Sequence, residues 1–229
     1  MEAIVLAGGL GTRLRNLVVD LPKPMAPING RPFLEFLLRS LARKGFRRVI
    51  LSLGFLAETV LSHFGSNFAG LEIVYIVEDV PLGTGGAVRL ALTACKQDHV
   101  FIFNGDTYTD LEVDQIERRW QSNRNPIIVG KHVLDTSRYG RMMVEGNWIT
   151  GFTEKGQHGN GLINAGCYVL PVGEFDQFAL NHHFSIETDY FVPAAVNMRL
   201  EVFVTDSIFI DIGIPEDYFL AQTLLATNM

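Results

Sequence analysis

Through roughly its first 130 residues the chain alternates short apolar runs with stretches of helical periodicity. Residues 3–7 form a compact apolar run containing β-branched Ile4 and Val5, the pattern of a strand covered on both faces. Phe33, Leu34, Phe36, Leu37, Leu38 and Leu41 then recur at helical spacing. Pro32 suits the first turn of that helix, and Gly45 suits its end after Arg43 and Lys44. A second run at 49–53, a short helix at 57–64 and a third run at 71–77 complete a βαβαβ order. A helix over 87–94, a strand over 100–103, a polar amphipathic helix over 112–123 and a strand over 127–131 continue it. Such alternation predicts parallel strands joined by right-handed crossovers, with ligands at their carboxyl ends.

Beyond residue 132 the rhythm changes to short strands and turns. Residues 139–144 and 148–153 alternate around Glu145-Gly146-Asn147 and predict a β-hairpin. A strand is expected over 162–170, and a helix from Glu187 that packs Phe191, Val192 and Ala195. Residues 207–212 read as a strand delivering Asp211; Gly213 and Pro215 break it and start a last helix with Glu216 and Asp217 in its first turn.

Composition narrows the class. At 229 residues and 48% hydrophobic content the chain can bury one large core, so a single domain over 1–229 is expected. No apolar run approaches the ~20 residues that span a bilayer and no targeting pattern opens the chain, which points to no membrane partner and a cytoplasmic location. A net charge of −6 argues against nucleic-acid binding. The charge is unevenly spread: residues 1–50 are basic and residues 175–229 acidic, which suits phosphates at one end and metal or hydroxyl recognition at the other. Cys95 and Cys167 have no metal-type spacing and read as reduced packing residues. His182 and His183 are adjacent, so their side chains point apart, and both read as structural or surface groups.

The chemistry concentrates after the first strand. Gly8, Gly9 and Gly11 remove side chains where the backbone must turn and free N–H groups for an anion; Arg13 follows, and Lys23 is held between Pro22 and Pro24. This is no dinucleotide fingerprint, because Leu14 takes the third glycine position, and no Gly-Lys-Ser/Thr follows. The pair of motifs Gly8-Gly9-Leu10-Gly11-Thr12-Arg13-Leu14 and Pro22-Lys23-Pro24 resembles the signature of sugar-1-phosphate nucleotidyltransferases. The resemblance runs through nearly the whole chain, with the later motifs in family order.

That resemblance implies a Rossmann-like three-layer α/β/α fold with a mostly parallel sheet, residues 1–132 mainly nucleotide-binding and 133–229 a small β-rich, mainly sugar-binding part. Leu6, Ala7, Gly8, Gly9, Gly11, Thr12, Arg13, Pro81, Gly83, Thr84 and Asp106 would then hold a nucleoside triphosphate. The three glycines Gly83, Gly85 and Gly86, just before the expected helix, would let the backbone approach the base and expose N–H groups. Glu78 would read the base edge, since a carboxylate accepts from both N1–H and the exocyclic amine of guanine. Tyr139, Gly140, Glu154, Lys155, Asn164 and Gly166 would form the sugar site, with Asn164 bridging hydroxyls. Gly156 replaces a common proline there, and the glycine-rich run to Gly161 is expected to be mobile. Asp106, cleared by Gly105, and Asp211 would hold Mg²⁺; Asp110 and Glu112 are weaker ligand candidates that helix capping explains. Ile214 departs from the family's threonine.

The implied catalytic cations are Arg13 for the leaving phosphates, Lys23 for the α-phosphate and Lys155 for the sugar phosphate. The stretches at 20–27 and 81–86 are most similar to the short members that guanylylate a D-glycero-α-D-manno-heptose 1-phosphate for bacterial surface glycans. Thymidylyl or uridylyl transfer to a hexose or N-acetylmuramic acid 1-phosphate is the alternative within the family, and a non-catalytic nucleotide-sugar sensor the alternative outside it. Homo-oligomerisation is left open.

Overall fold

The computed structural model of the protein describes residues 1–9, 18, 20–197 and 200–226. Gly11, Thr12 and Arg13 lie outside the described residues. The chain opens on β1 (Glu2–Leu6), and β2 (Pro27–Ile28) and β3 (Arg31–Pro32) then turn over Asn29-Gly30, both at positive φ, into α1 (Phe33–Arg43). β4 (Arg48–Leu53), α2 (Ala57–Phe64), β5 (Asn67–Phe68), β6 (Leu71–Val77), α3 (Gly83–Leu92) and β7 (His99–Asn104) follow. Next come β8 (Thr107–Thr109), α4 (Val113–Asn123), β9 (Ile127–Val133), β10 (Met142–Glu145), β11 (Trp148–Phe152) and β12 (Gly161–Pro171). A π-helical turn (Ile186–Phe191), α5 (Val192–Val196), β13 (Glu201–Thr205), β14 (Phe209–Asp211) and α6 (Pro215–Leu224) complete the described elements.

Ten strands form one sheet in the order β10-β11-β13-β9-β12-β7-β1-β4-β6-β5. β1 pairs in parallel with β4 and β7, and β4 with β6, as the βαβ pattern requires. β12 is antiparallel and lies between β7 and β9. The strand at Ile127–Val133 therefore does not extend the first parallel set but is separated from it by one from the second half of the chain. β12 is eleven residues long and buried along most of its length, so it gains most by lying at the centre of the sheet with both faces covered.

Alternate residues divide between two cores. Ala3, Val5, Val49, Leu51, Phe101 and Phe103 face α1, α2 and α4, which contribute Leu34, Leu37, Leu38, Leu41, Val60, Ile116 and Trp120. Ile4, Ile50, Val100, Ile102 and Tyr168 face the opposite way, against Val88, Ala91 and Leu92 of α3 and the aromatic group Phe175, Phe184, Tyr190 and Phe191. This is the expected three-layer arrangement. Cys95 is half-buried and Cys167 buried, both as free thiols, and His182 and His183 are exposed. Among the described residues no helix is long and apolar enough to cross a membrane.

Two local expectations are corrected. α3 begins at Gly83, so the glycines expected in a loop form its first turn. A Cβ on Gly85 would overlap the Phe184 ring, and one on Gly86 would lie 2.5 Å from the His182 carbonyl oxygen. The Gly85 and Gly86 N–H groups both point at the Phe184 carbonyl, at 3.0 and 3.3 Å, and are not free for a ligand. Val192 is 44% exposed, whereas Phe191 and Ala195 are buried as expected. The wider π turn before Val192 rotates it off the core-facing stripe.

The packing role of Gly85 carries a prediction. Alanine is the better helix former by about 1 kcal/mol, but overpacking against the stacked Phe178 and Phe184 rings costs about 1–3 kcal/mol. Gly85→Ala is expected to lower stability, read as a reduced urea midpoint at unchanged slope; an increased midpoint would show that Phe184 gives way freely.

Candidate active site

A cleft of about 690 Å³ opens at the carboxyl ends of β1, β4, β6 and β7, where parallel α/β sheets place ligands. Leu6, Ala7, Gly8, Gly9, Glu78, Pro81, Gly83, Thr84 and Asp106, assigned above to the nucleotide, line it together with Lys23. The floor is fixed by backbone contacts. The Ala7 N–H donates to the Ser52 carbonyl and the Gly105 N–H to the Leu6 carbonyl, each at 2.8 Å. A Cβ on Gly54 would sit 3.0 Å from the Gly8 oxygen and one on Gly105 2.7 Å from the Leu6 oxygen, so glycine there lets the strand ends close on one another. Gly105 thus clears space for β1 rather than for a ligand.

Glu78 immediately follows β6 at one side of the cleft. Its Oε2 accepts from the Leu82 N–H at 2.8 Å, and its Oε1 lies 3.1 Å from where a Gly8 Cβ would be. Burial raises its pKa, opposed by the Leu82 N–H and then by the nearby Ser52 hydroxyl. Phe55, at the mouth, is 42% exposed and was not singled out from sequence. A lone aromatic after Gly54 belongs to no period, and Leu56 beside it holds a left-handed φ of 57° that only the structure reveals.

The charged centre is built by strand pairing. β8 starts immediately after Asp106 and β14 ends at Asp211; their antiparallel register sets Thr107 opposite Asp211. The Ile212 N–H donates to the Asp106 carbonyl at 3.0 Å, which brings together two carboxylates about a hundred residues apart in sequence. Lys23, in a short 3-10 turn started by Pro22, donates to Asp106 Oδ2, and its Nζ lies 3.7 Å from Asp211 Oδ1. Asp211 Oδ1 also accepts from the Gly213 N–H at 2.8 Å. Burial, and next the charge of Asp106, raise the Asp211 pKa; Lys23 and Arg138 oppose them.

Arg138 is a further member that sequence reasoning missed. It donates to Asp217, reaches within 3.8 Å of Asp211 Oδ2, and lies 5.2 Å above the Tyr139 ring. Burial, then the charge of Asp211, push the Tyr139 hydroxyl up to about 12. A single arginine before Tyr-Gly gives no sequence signal. Asp110 pairs with Lys44 at 2.7 Å, and Glu112 accepts from Thr205 and Ser207 at 2.7 and 3.1 Å. Glu112 occupies the cap position of α4 without a side-chain cap bond, so strand-to-helix hydrogen bonding explains it rather than capping.

The donor set fits a divalent ion. Two facing carboxylates that share one lysine form a site where like charge calls for a cation, and Mg²⁺ uses one or two carboxylates completed by waters and substrate phosphates. Among the described residues no group of three or more His, Cys, Asp or Glu gathers to hold a metal by protein alone.

The expected sugar residues are only partly brought to this place. β12 bulges between Asn164 and Tyr168, and Gly166, at φ +69°, faces Asn104 of the cleft wall closely enough that a Cβ would lie 2.7 Å from its Nδ2. Asn164 is not free to bridge hydroxyls with all its groups: Oδ1 accepts from the Gly166 N–H and Nδ2 donates to the Tyr168 hydroxyl, both at 2.9 Å. Gly140 lets the hairpin close, since its Cβ would be 2.6 Å from the Thr153 oxygen. Glu154 and Lys155 are exposed and do not line the cleft. The following loop, expected to be mobile, is tied by Gly156 N–H to the Ser137 carbonyl at 3.0 Å and by the Thr136 hydroxyl to the Gln157 carbonyl at 2.8 Å. Glu187 accepts from Thr84 of the cleft at 2.8 Å and from Ser185 at 2.9 Å, linking the two halves.

A family model described as nucleotidyl transferase matches residues 2–228. The D-glycero-alpha-D-manno-heptose 1-phosphate guanylyltransferase of Aneurinibacillus thermoaerophilus is 39% identical over 223 residues, 97% of each chain. The protein of the same name from Campylobacter jejuni is 39% identical over 221 residues, 96% of this chain and 97% of the relative. The crystal structure of HddC from Yersinia pseudotuberculosis complexed with GMP-PN superimposes with a TM-score of 0.86 at 36% identity, covering 96% of this chain and 97% of that one.

Proposed function

The chain belongs to the nucleotidyl transferase family, and from that premise we propose that its cleft joins GTP to D-glycero-α-D-manno-heptose 1-phosphate, releasing pyrophosphate. One observation carries the reading: Asp106, Lys23 and Asp211 converge at the end of a cleft whose other end holds Glu78. The 39% identity to two heptose 1-phosphate guanylyltransferases supports the choice of base and sugar.

The reaction is in-line attack by a sugar-phosphate oxygen on the α-phosphorus of GTP; the bond to the β-phosphate oxygen breaks and pyrophosphate leaves. The nucleophile is already ionised, so no general base is needed. Two anions must approach, and the protein's part is positioning and charge neutralisation. Asp106 and Asp211 would hold Mg²⁺, which when bound neutralises and orients phosphate oxygens. Lys23 turns from the carboxylates toward the α-phosphate. Arg13 is assigned to the leaving β- and γ-phosphates, and Lys155, exposed at the end of the hairpin, to the sugar phosphate. Glu78 accepts from the guanine N1–H and amine with the oxygen that Leu82 does not hold.

The test is pyrophosphate release with Mg²⁺, crossing GTP, dTTP, UTP, CTP and ATP with heptose, mannose and glucose 1-phosphates. Turnover with GTP and the manno-heptose phosphate alone is expected; turnover with dTTP or UTP instead would overturn the base assignment. Glu78→Gln swaps one acceptor oxygen for an amide donor facing guanine donors. It is expected to lower kcat/KM for GTP by on the order of 10²-fold, and an unchanged value would remove Glu78 from base recognition.

A further inference from the structure

After Arg48, β4 is apolar except at Ser52. Ser52 points to the same side as Ile50, toward the core closed by α3, and its register neighbours are Leu6 on β1 and Ile76 on β6. It is 1% exposed, and its hydroxyl is a buried side-chain polar atom without a hydrogen bond of normal length and angle. Three others of that kind are found among the described residues, on Arg48, Thr109 and Trp120; Ser52 alone belongs to a residue lining the cleft.

A buried orphan hydroxyl on an apolar strand face needs a reason, since alanine or valine would fill the place without the desolvation penalty. The purely structural reading, donation to a neighbouring carbonyl, fails because no such bond is made. Ser52 is paired with Ile76, and the Glu78 N–H continues that pairing by donating to the Leu53 carbonyl at 2.8 Å. Glu78, two residues past Ile76, therefore follows on the same face of the neighbouring strand and lines the same cleft as Ser52. Leu82 N–H holds Oε2 of the Glu78 carboxylate and Gly8 leaves room beside Oε1, while Ser52 borders the same cleft from β4.

We propose that Ser52 is a positioning residue for base selection, whose hydroxyl closes a hydrogen bond onto Glu78 when a nucleobase enters and so fixes the carboxylate as a rigid double acceptor. The inference rests on the guanine reading given above. Ser52 touches no substrate atom; its effect on binding passes through Glu78. A carboxylate held by two donors keeps one orientation, whereas Leu82 alone leaves it free to pivot about one oxygen.

A double-mutant cycle separates this from a structural role. Affinities for GTP and for inorganic tripolyphosphate, each with Mg²⁺, are measured by titration calorimetry on the wild-type chain, Ser52→Ala, Glu78→Gln and the double variant. Ser52→Ala removes a buried unsatisfied group and adds none, so the fold is retained. It is expected to weaken GTP by about tenfold in the wild-type background, by less than about twofold when Glu78 is already glutamine, and to leave tripolyphosphate binding unchanged. An equal loss in both backgrounds, an equal loss with tripolyphosphate, or no loss with GTP would each overturn the assignment. Failure of the guanine reading is visible separately, as a wild-type chain that binds UTP as tightly as GTP.

Discussion

Replacing Lys23 with alanine is expected to lower kcat/KM by about 10²–10³-fold, the effect of removing one preorganised charge from a phosphoryl-transfer site. In the free protein Lys23 is the cation that both Asp106 and Asp211 share, with its side chain only 15% exposed. Alanine would leave two partly buried carboxylates facing each other without it, and Asp211 is already raised by burial and by Asp106. The same substitution is therefore expected to lower the melting temperature in the absence of divalent ions, and added Mg²⁺ to restore most of it, because a bound cation stabilises by mass action. Pyrophosphate release and thermal melts with and without Mg²⁺ measure both parts. Near-normal turnover would sink the role of Lys23, and a melting temperature indifferent to Mg²⁺ would sink the metal site.

Asp211→Asn is expected to be the more damaging change, lowering kcat/KM by on the order of 10³-fold through loss of one of two metal-binding carboxylates. Its effect on stability has the opposite sign. Asparagine removes the like-charge contact with Asp106 while the Lys23 to Asp106 bond remains, and its side-chain oxygen can still accept from the Gly213 N–H. The melting temperature of the metal-free protein is thus expected to hold or rise slightly, and its dependence on Mg²⁺ to weaken. The two variants share an activity loss but differ in the direction of the thermal shift, a distinction that general misfolding would not produce. A falling melting temperature for Asp211→Asn would mean that Asp211 is held chiefly for the fold.

Lys23 between prolines, the glycines after the first apolar run, Asp106 beyond the fourth run and Asp211 before a breaker were all legible in the sequence. Each depends on turn chemistry or hydrophobic period within a few residues. The helix faces at 33–43 and 113–123 and the parallel pairing of β1, β4, β6 and β7 followed from the same local rules. Other features arise only when distant segments meet. The place of β12 between β7 and β9, the junction of Asp106 with Asp211 through β8 and β14, and the approach of Arg138 to Asp211 are examples.

Glycine shows the division most clearly. The chain marks Gly83, Gly85 and Gly86 as positions where a side chain is missing, which suggested room for a base; the structure fills the space at Gly85 with the ring of Phe184. Ser52 likewise reads as one polar residue in a strand until the pairing of β4 with β6 brings Glu78, just past the strand end, to the same cleft. By itself the sequence determined which elements form and which residues carry chemistry at their ends, because backbone preference and apolar period act over a few residues. Only the tertiary structure decided which of those residues stand together, because packing between segments far apart in the chain sets that choice.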